Sequence, residues 1–81
     1  MLVQQIGSNM TEVMLADGTE ILISYTTPVA ARIPGRGWVR TAYKWSPTTT
    51  KHINRWLLDK LGRTDCVPAV SQWEIDQLIA F

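Results

Sequence analysis

Thr11-Glu12-Val13-Met14-Leu15-Ala16-Asp17-Gly18-Thr19-Glu20-Ile21-Leu22-Ile23-Ser24-Tyr25-Thr26-Thr27 is the stretch that decides the fold. Asp17-Gly18 separates two runs of strand character. An Asp-Gly pair suits a two-residue type I′ turn, because both central residues must tolerate positive φ. That turn sets Ala16 opposite Thr19, Met14 opposite Ile21 and Glu12 opposite Ile23. Side chains alternate across a strand. One face then carries Met14, Ile21, Ile23 and Tyr25, and the other carries Val13, Leu15 and Leu22 with Glu20 and Ser24. The first face is the richer and is expected to line the core. The second is too apolar to stand bare. The C-terminal helix or a second molecule is expected to cover it, which places a homodimer among the expected assemblies.

Working outward, Met1 to Ile6 reads as a short strand and Gly7-Ser8-Asn9 as a turn. Pro28 interrupts the strand that follows the hairpin, and Val29 to Ile33 continues it as an edge. Pro34-Gly35-Arg36-Gly37 is a turn with an arginine at its tip, and Trp38 to Trp45 reads as the next strand. Ser46-Pro47 then opens a helix, serine as N-cap and proline at the first helical position. Ile53, Trp56, Leu57 and Leu61 recur at spacings of three and four, and Gly62 stops the helix, giving Pro47–Leu61. Ser71-Gln72-Trp73-Glu74 is a capping box for a second helix over Gln72–Ala80, whose stripe is Ile75, Leu78 and Ile79. Strands first and helices last predict an α+β fold. It is a three- to four-stranded antiparallel meander with two C-terminal helices packed on one face, all in a single domain over residues 1–81.

The chain has 81 residues, 46% of them hydrophobic. That fills one core and leaves little for an enclosed substrate cleft of roughly 300 Å³ or more. Cys66 is the lone cysteine, so no internal disulfide forms and a reducing compartment such as the cytosol is expected. Neither a signal peptide nor an apolar run of membrane-spanning length is visible, and no membrane partner is expected. The net charge of +1 conceals an asymmetry. All eight bases lie between Arg32 and Arg63, accompanied there by the single acid Asp59. The flanks hold Glu12, Asp17 and Glu20 on one side and Asp65, Glu74 and Asp76 on the other. Such segregation is a cue for an anionic partner, weighed against an ordinary solvated face.

Catalytic and metal chemistry find little support. His52 and Cys66 are each alone of their kind, whereas a structural zinc site wants four such ligands. His52 is expected at the edge of its helix, hydrogen-bonded or wet. Cys66 beside Asp65 lacks a positioned base and is expected simply to pack. No cofactor is expected, and the chain does not read as an enzyme. The constellation that stands out is Arg36, Trp38, Arg40, Lys44, Lys51 and Arg55 around the Ser46–Thr50 run. If one strand buries Val39, Tyr43 and Trp45, Arg40 and Lys44 share its outer face. The helix N-terminus that follows could then hold a phosphate, and Trp38 could stack on a base. These five bases are expected to form one continuous surface. The competing reading has Ser46 merely capping and Trp38 in the core. Leu58 and Trp73 fall off their helical stripes and are the candidate protein-interface residues.

Thr27-Pro28-Val29-Ala30-Ala31 with Pro34-Gly35-Arg36-Gly37 is one motif, and Lys44-Trp45-Ser46-Pro47 through Trp56-Leu57 is another. Together they resemble a family of short bacteriophage- and prophage-encoded proteins that pair a "DGT…SYxTPVAA" region with a "KWSxTTxxHIN(K/R)WL" helix start. The resemblance covers roughly Val13 to Leu57 and supplies no catalytic or binding residues. It implies a phage origin and action in the host bacterial cytoplasm. Two functions follow as expectations. One is an inhibitor docking on a host protein or defence complex, of which an anti-CRISPR is an example. The alternative is a nucleic-acid-binding accessory protein acting through the basic 32–63 segment. No helix-turn-helix, zinc-finger or single-strand-binding signature is present, which tilts the balance towards protein.

Overall fold

The computed structural model describes residues 1–79. Six strands form one sheet in the order β1 (Leu2–Gly7), β2 (Met10–Met14), β3 (Glu20–Ser24), β4 (Thr27–Ile33), β5 (Gly37–Thr41) and β6 (Ala69–Val70). The first five pair antiparallel as a meander, and β6 adds parallel to β5. A parallel neighbour needs a crossover connection of a dozen or more residues. Helix α1 (Pro47–Lys60) supplies it, and α2 (Gln72–Gln77) follows β6. The fold is α+β as expected, but with six strands where three or four were read, and with β4 in the sheet interior instead of at an edge. Ala80, read as the end of the second helix, lies outside the described residues.

The hairpin turns at Asp17-Gly18, but not through a type I′ turn. Leu15 N–H donates to the Thr19 carbonyl (2.8 Å), and Gly18 N–H donates to the Leu15 carbonyl (3.0 Å). The loop is therefore Ala16-Asp17-Gly18, with only Gly18 at positive φ (94°). This is the three-residue connection that ends in a glycine bulge. Asp17 Oδ1 accepts from Thr19 N–H at 2.9 Å and closes it. That backbone hydrogen bond also holds the Asp17 carboxyl below the usual carboxylate range.

One residue more in the loop slips the register by one, and a one-residue slip exchanges the faces. Met14 stands opposite Glu20, Val13 opposite Ile21 and Glu12 opposite Leu22. The expected core face of Met14, Ile21, Ile23 and Tyr25 is thereby split, and Met14 and Tyr25 are exposed.

Both faces of the sheet are covered. On one, Met10, Leu22, Val29 and Ala30 pack with Ile53, Trp56 and Leu57 of α1. On the other, Val13, Ile21, Ala31 and Val39 pack with Leu78 and Ile79 at the end of α2. The helices thus lie on opposite faces, not on one. The parallel placement of β6 re-aims the chain after α1, and two strand residues are too short a signal to read. A bulge at Val29, between the Leu22–Ala30 and Ile23–Pro28 pairs, lets interior β4 contain a proline.

Candidate functional site

Strand β5 ends at Thr41, and this single fact rearranges the predicted site. Arg40 remains on the strand, on the α1 face, where its guanidinium donates to Asn54 Oδ1 at 3.2 Å. Lys44 lies beyond the strand in the connection to α1, so the two bases do not share a strand face. Tyr43 and Trp45, expected in the core, are exposed instead. Their rings pack against each other at 4.5 Å between centroids, tilted by 50°. Trp45 Nε1–H donates to Gln72 Oε1 of α2 at 3.0 Å. The same Gln72 donates to the Pro28 carbonyl at 2.6 Å and to Asp76 Oδ1 at 2.9 Å. One glutamine therefore ties the aromatic pair to the sheet.

Between this loop and the start of α1 runs an open groove of about 600 Å³, lined by Arg40, Tyr43, Lys44, Trp45, Thr50 and Ala69 among others. Composition leaves little for an enclosed cleft, and this space is not enclosed. It exists because the groove lies outside the core, between the β5–α1 connection and the helix. A smaller hollow of about 210 Å³ continues past Trp45 towards Tyr25 and Thr27. Tyr25 is exposed and adopts φ 57° without being glycine.

The other predicted residues fall as follows. Trp38 is half-buried and meets Trp56 edge-on at 5.4 Å, so it packs against the core cluster under α1. Arg36 sits before β5, at the opposite end from Lys44, separated by about 13 Å of strand. Its guanidinium pairs with Glu74 of α2 at 3.0 Å. Arg36 is thus removed from the basic group. Lys51 and Arg55 are exposed one turn apart on α1, next to Asn54, which holds Arg40. Leu58 and Trp73 are exposed, Trp73 by 68%, so it covers no gap between helices.

The acids sort the bases. Among the described residues Arg32 pairs with Glu20, Arg36 with Glu74, Lys60 with Glu12 and Glu20, and Arg63 with Asp65. Arg40, Lys44, Lys51 and Arg55 have no carboxylate within ion-pair distance there. These four flank the groove and run up the outer side of α1.

The helix N-terminus is not a ready phosphate cradle. Ser46 takes the Thr49 amide through its hydroxyl (3.1 Å) and the Thr50 amide through its carbonyl (3.0 Å). Pro47 has no N–H, which leaves the Thr48 amide. Beneath lies a chain of hydroxyls, Ser46 Oγ to Thr49 Oγ1 (3.3 Å), Thr49 to Ser24 Oγ (3.1 Å) and Ser24 to His52 Nδ1 (2.8 Å). It fastens α1 to β3 and accounts for His52. Cys66, expected to pack, is exposed in the loop before β6 at φ 63°. Among the described residues no three His, Cys, Asp or Glu side chains converge as metal ligands, and no helix is long and apolar enough to cross a membrane.

The exposed aromatic pair escaped the sequence reading because Tyr43 and Trp45 alternate with Lys44 as a half-buried strand would. The usable signal was Ser46-Pro47: a helix opening there leaves little room for the strand to end late. No curated protein and no solved structure matches the chain. A family model matches residues 1–77, and the chain belongs to that family, a family of unknown function (DUF8033).

Proposed function

We propose that this domain acts by binding and not by catalysis, as a small phage-type accessory protein that docks on a host protein or defence complex and blocks it. The observation that carries this reading is the exposed Tyr43–Trp45 pair, held by Gln72 and bordered by Arg40 and Lys44. Tyrosine, tryptophan and arginine are the residues on which protein interfaces concentrate their energy. Four bases without carboxylates suit a partner surface that is acidic around an apolar centre. Trp73, 68% exposed on α2, is a further exposed aromatic side chain.

The nucleic-acid alternative is weakened on two counts, since half-buried Trp38 is engaged by Trp56 and Ser46 occupies the helix N-terminus. The test is affinity capture from bacterial host lysate, with and without nuclease, using wild type, Trp45→Ala and the Arg40→Glu/Lys44→Glu double variant. The expected result is a nuclease-resistant host protein, lost with Trp45→Ala and weakened by the charge reversal. Nuclease-sensitive capture would establish the alternative. Each neutralised phosphate would then steepen the dependence of log affinity on log salt by about 0.7–0.9.

A further inference from the structure

The exposed large apolar side chains fall mainly into two groups. Tyr25, Tyr43 and Trp45 line the groove and the hollow beyond it, while Met1, Leu2, Val3 and Met14 lie at the other edge of the sheet, on or just before β1 and on its neighbour β2. An edge strand presents unpaired backbone groups, and monomers guard such edges with charges, prolines, bulges or a very short strand. The β6 edge is two residues long. Strand β1 is six residues long, pairs regularly with β2 from Leu2 to Gln5 with its one irregularity between Gln5 and Gly7, carries no charged side chain and no proline, and exposes Leu2 and Val3 by 60% each.

We infer that β1 pairs antiparallel with β1 of a second copy of this chain about a two-fold axis at Gln4, joining the two sheets into one. The occupant is a second copy because the strand matches itself. Leu2, Gln4 and Ile6 share the α1 face, with Ile6 packed against the core cluster there. A two-fold at Gln4 sets Leu2 of one copy opposite Ile6 of the other, and Val3 opposite Gln5. Exposed Leu2, which stands beside Met14 on β2, then extends the partner's cluster. Shifting the axis to Val3 sets Leu2 opposite Gln4, and shifting it to Gln5 sets Leu2 opposite Ser8, beyond the end of β1. Charge permits the approach: Glu12 and Glu20, the acids of β2 and β3, are taken up by Lys60 and Arg32. A symmetric contact of this kind closes on itself and leaves the groove of each copy free.

Sedimentation velocity over a dilution series tests it. Wild type is expected to be a dimer that dissociates on dilution. Gln4→Lys, which sets two ammonium groups face to face at an exposed position, is expected to stay monomeric and to unfold at the midpoint that wild type shows once diluted to monomer. Across the axis the position-4 Cβ atoms would stand about 4.5–5.5 Å apart. Gln4→Cys in a Cys66→Ser background should therefore oxidise to a covalent homodimer. Wild type that is monomeric at every concentration overturns the inference. So does a dimer that survives Gln4→Lys, or a monomer that takes up an unrelated extended peptide along β1.

Discussion

The two faces of the sheet are covered by different means. On the α1 face a 14-residue helix buries Ile53, Trp56 and Leu57. It is capped by Ser46 at one end and closed at the other by Gly62, whose N–H reaches the Leu57 and Leu58 carbonyls at φ 85°. A polar network lies under it: Glu12 Oε1 receives the Trp56 indole N–H (3.3 Å) and Lys60 (2.6 Å). On the α2 face a six-residue helix buries Ile75 alone. Leu78 and Ile79 are half-buried, and Gln72 and the exposed Arg36–Glu74 pair make the remaining ties. A helix that short gains little from its own hydrogen bonds and depends on tertiary contacts. One face holds the fold together. The other holds the aromatic pair in place and is expected to open locally before the sheet unfolds.

The largest expected effect is on the α1 face. Leu57→Ala should cost about 2–5 kcal/mol in denaturant unfolding, because Leu57 is fully buried and its truncation leaves a cavity. Ile75→Ala removes an equally buried side chain on the other face. There we expect faster amide exchange confined to residues 72–77 before the global midpoint moves as far. Equal global losses from the two substitutions would erase the distinction between the faces.

Next comes the network. Glu12→Gln keeps an acceptor for Trp56 but removes the charge facing Lys60, and should cost about 1 kcal/mol, since solvent reaches Lys60. Its pH dependence has a definite sign. The hydrogen bond that the Lys60 ammonium donates to Glu12 is the main cause that raises Lys60 above its ordinary 10.5. The stability from Lys60 is therefore fully present below 10.5 and lost as pH rises through the higher folded value. Wild-type unfolding midpoints should fall above pH 10.5, and those of Glu12→Gln should fall less.

Gln72→Ala tests the lighter face. It removes the donor to Pro28 and the acceptor for Trp45, and should cost about 1 kcal/mol. Trp45 should become more mobile, weakening any partner that the groove captures more than it weakens the fold. A variant that binds as well as wild type would make Gln72 a structural tie only.

What the sequence disclosed follows from the range of the interactions involved. Caps are local, so Ser46-Pro47, Gly62 and Ser71 marked the helix ends. Stripes are local too, so Ile53, Trp56, Leu57 and Ile75 were legible as core. The hairpin was legible at Asp17-Gly18, but its register was not, because an Asp-Gly pair serves both a two-residue and a three-residue loop. That one-residue difference decided which side chains faced α1. The pairing of Lys60 with Glu12 spans most of the chain and has no local signature. The same holds for Arg36 with Glu74, which removed one base from the surface the sequence suggested. The two helices landed on opposite faces because β6, two residues long, returns parallel to β5.

The smallest expected effect lies in the strap between α1 and β6, which belongs to neither face. Arg63 holds Asp65 with two hydrogen bonds, Nε to Oδ1 at 2.8 Å and Nη2 to Oδ2 at 2.7 Å. That fork is the main cause that pulls the Asp65 carboxyl from 3.8 down to about 2. A depressed carboxylate contributes stability that is present above its ordinary value and lost as pH falls through the folded one. The window is therefore about pH 4 down to about 2. Both side chains stand in solvent, which screens the pair, so global unfolding should scarcely register its loss. The carboxyl carbon shift of Asp65, followed by NMR titration, is the sensitive measurement. Wild type should titrate near the lower value, and Arg63→Gln should bring Asp65 back towards 3.8. An Asp65 that titrates ordinarily in wild type would mean that the fork does not form in solution. The turn at Cys66 would then be held by its backbone and by β6 alone.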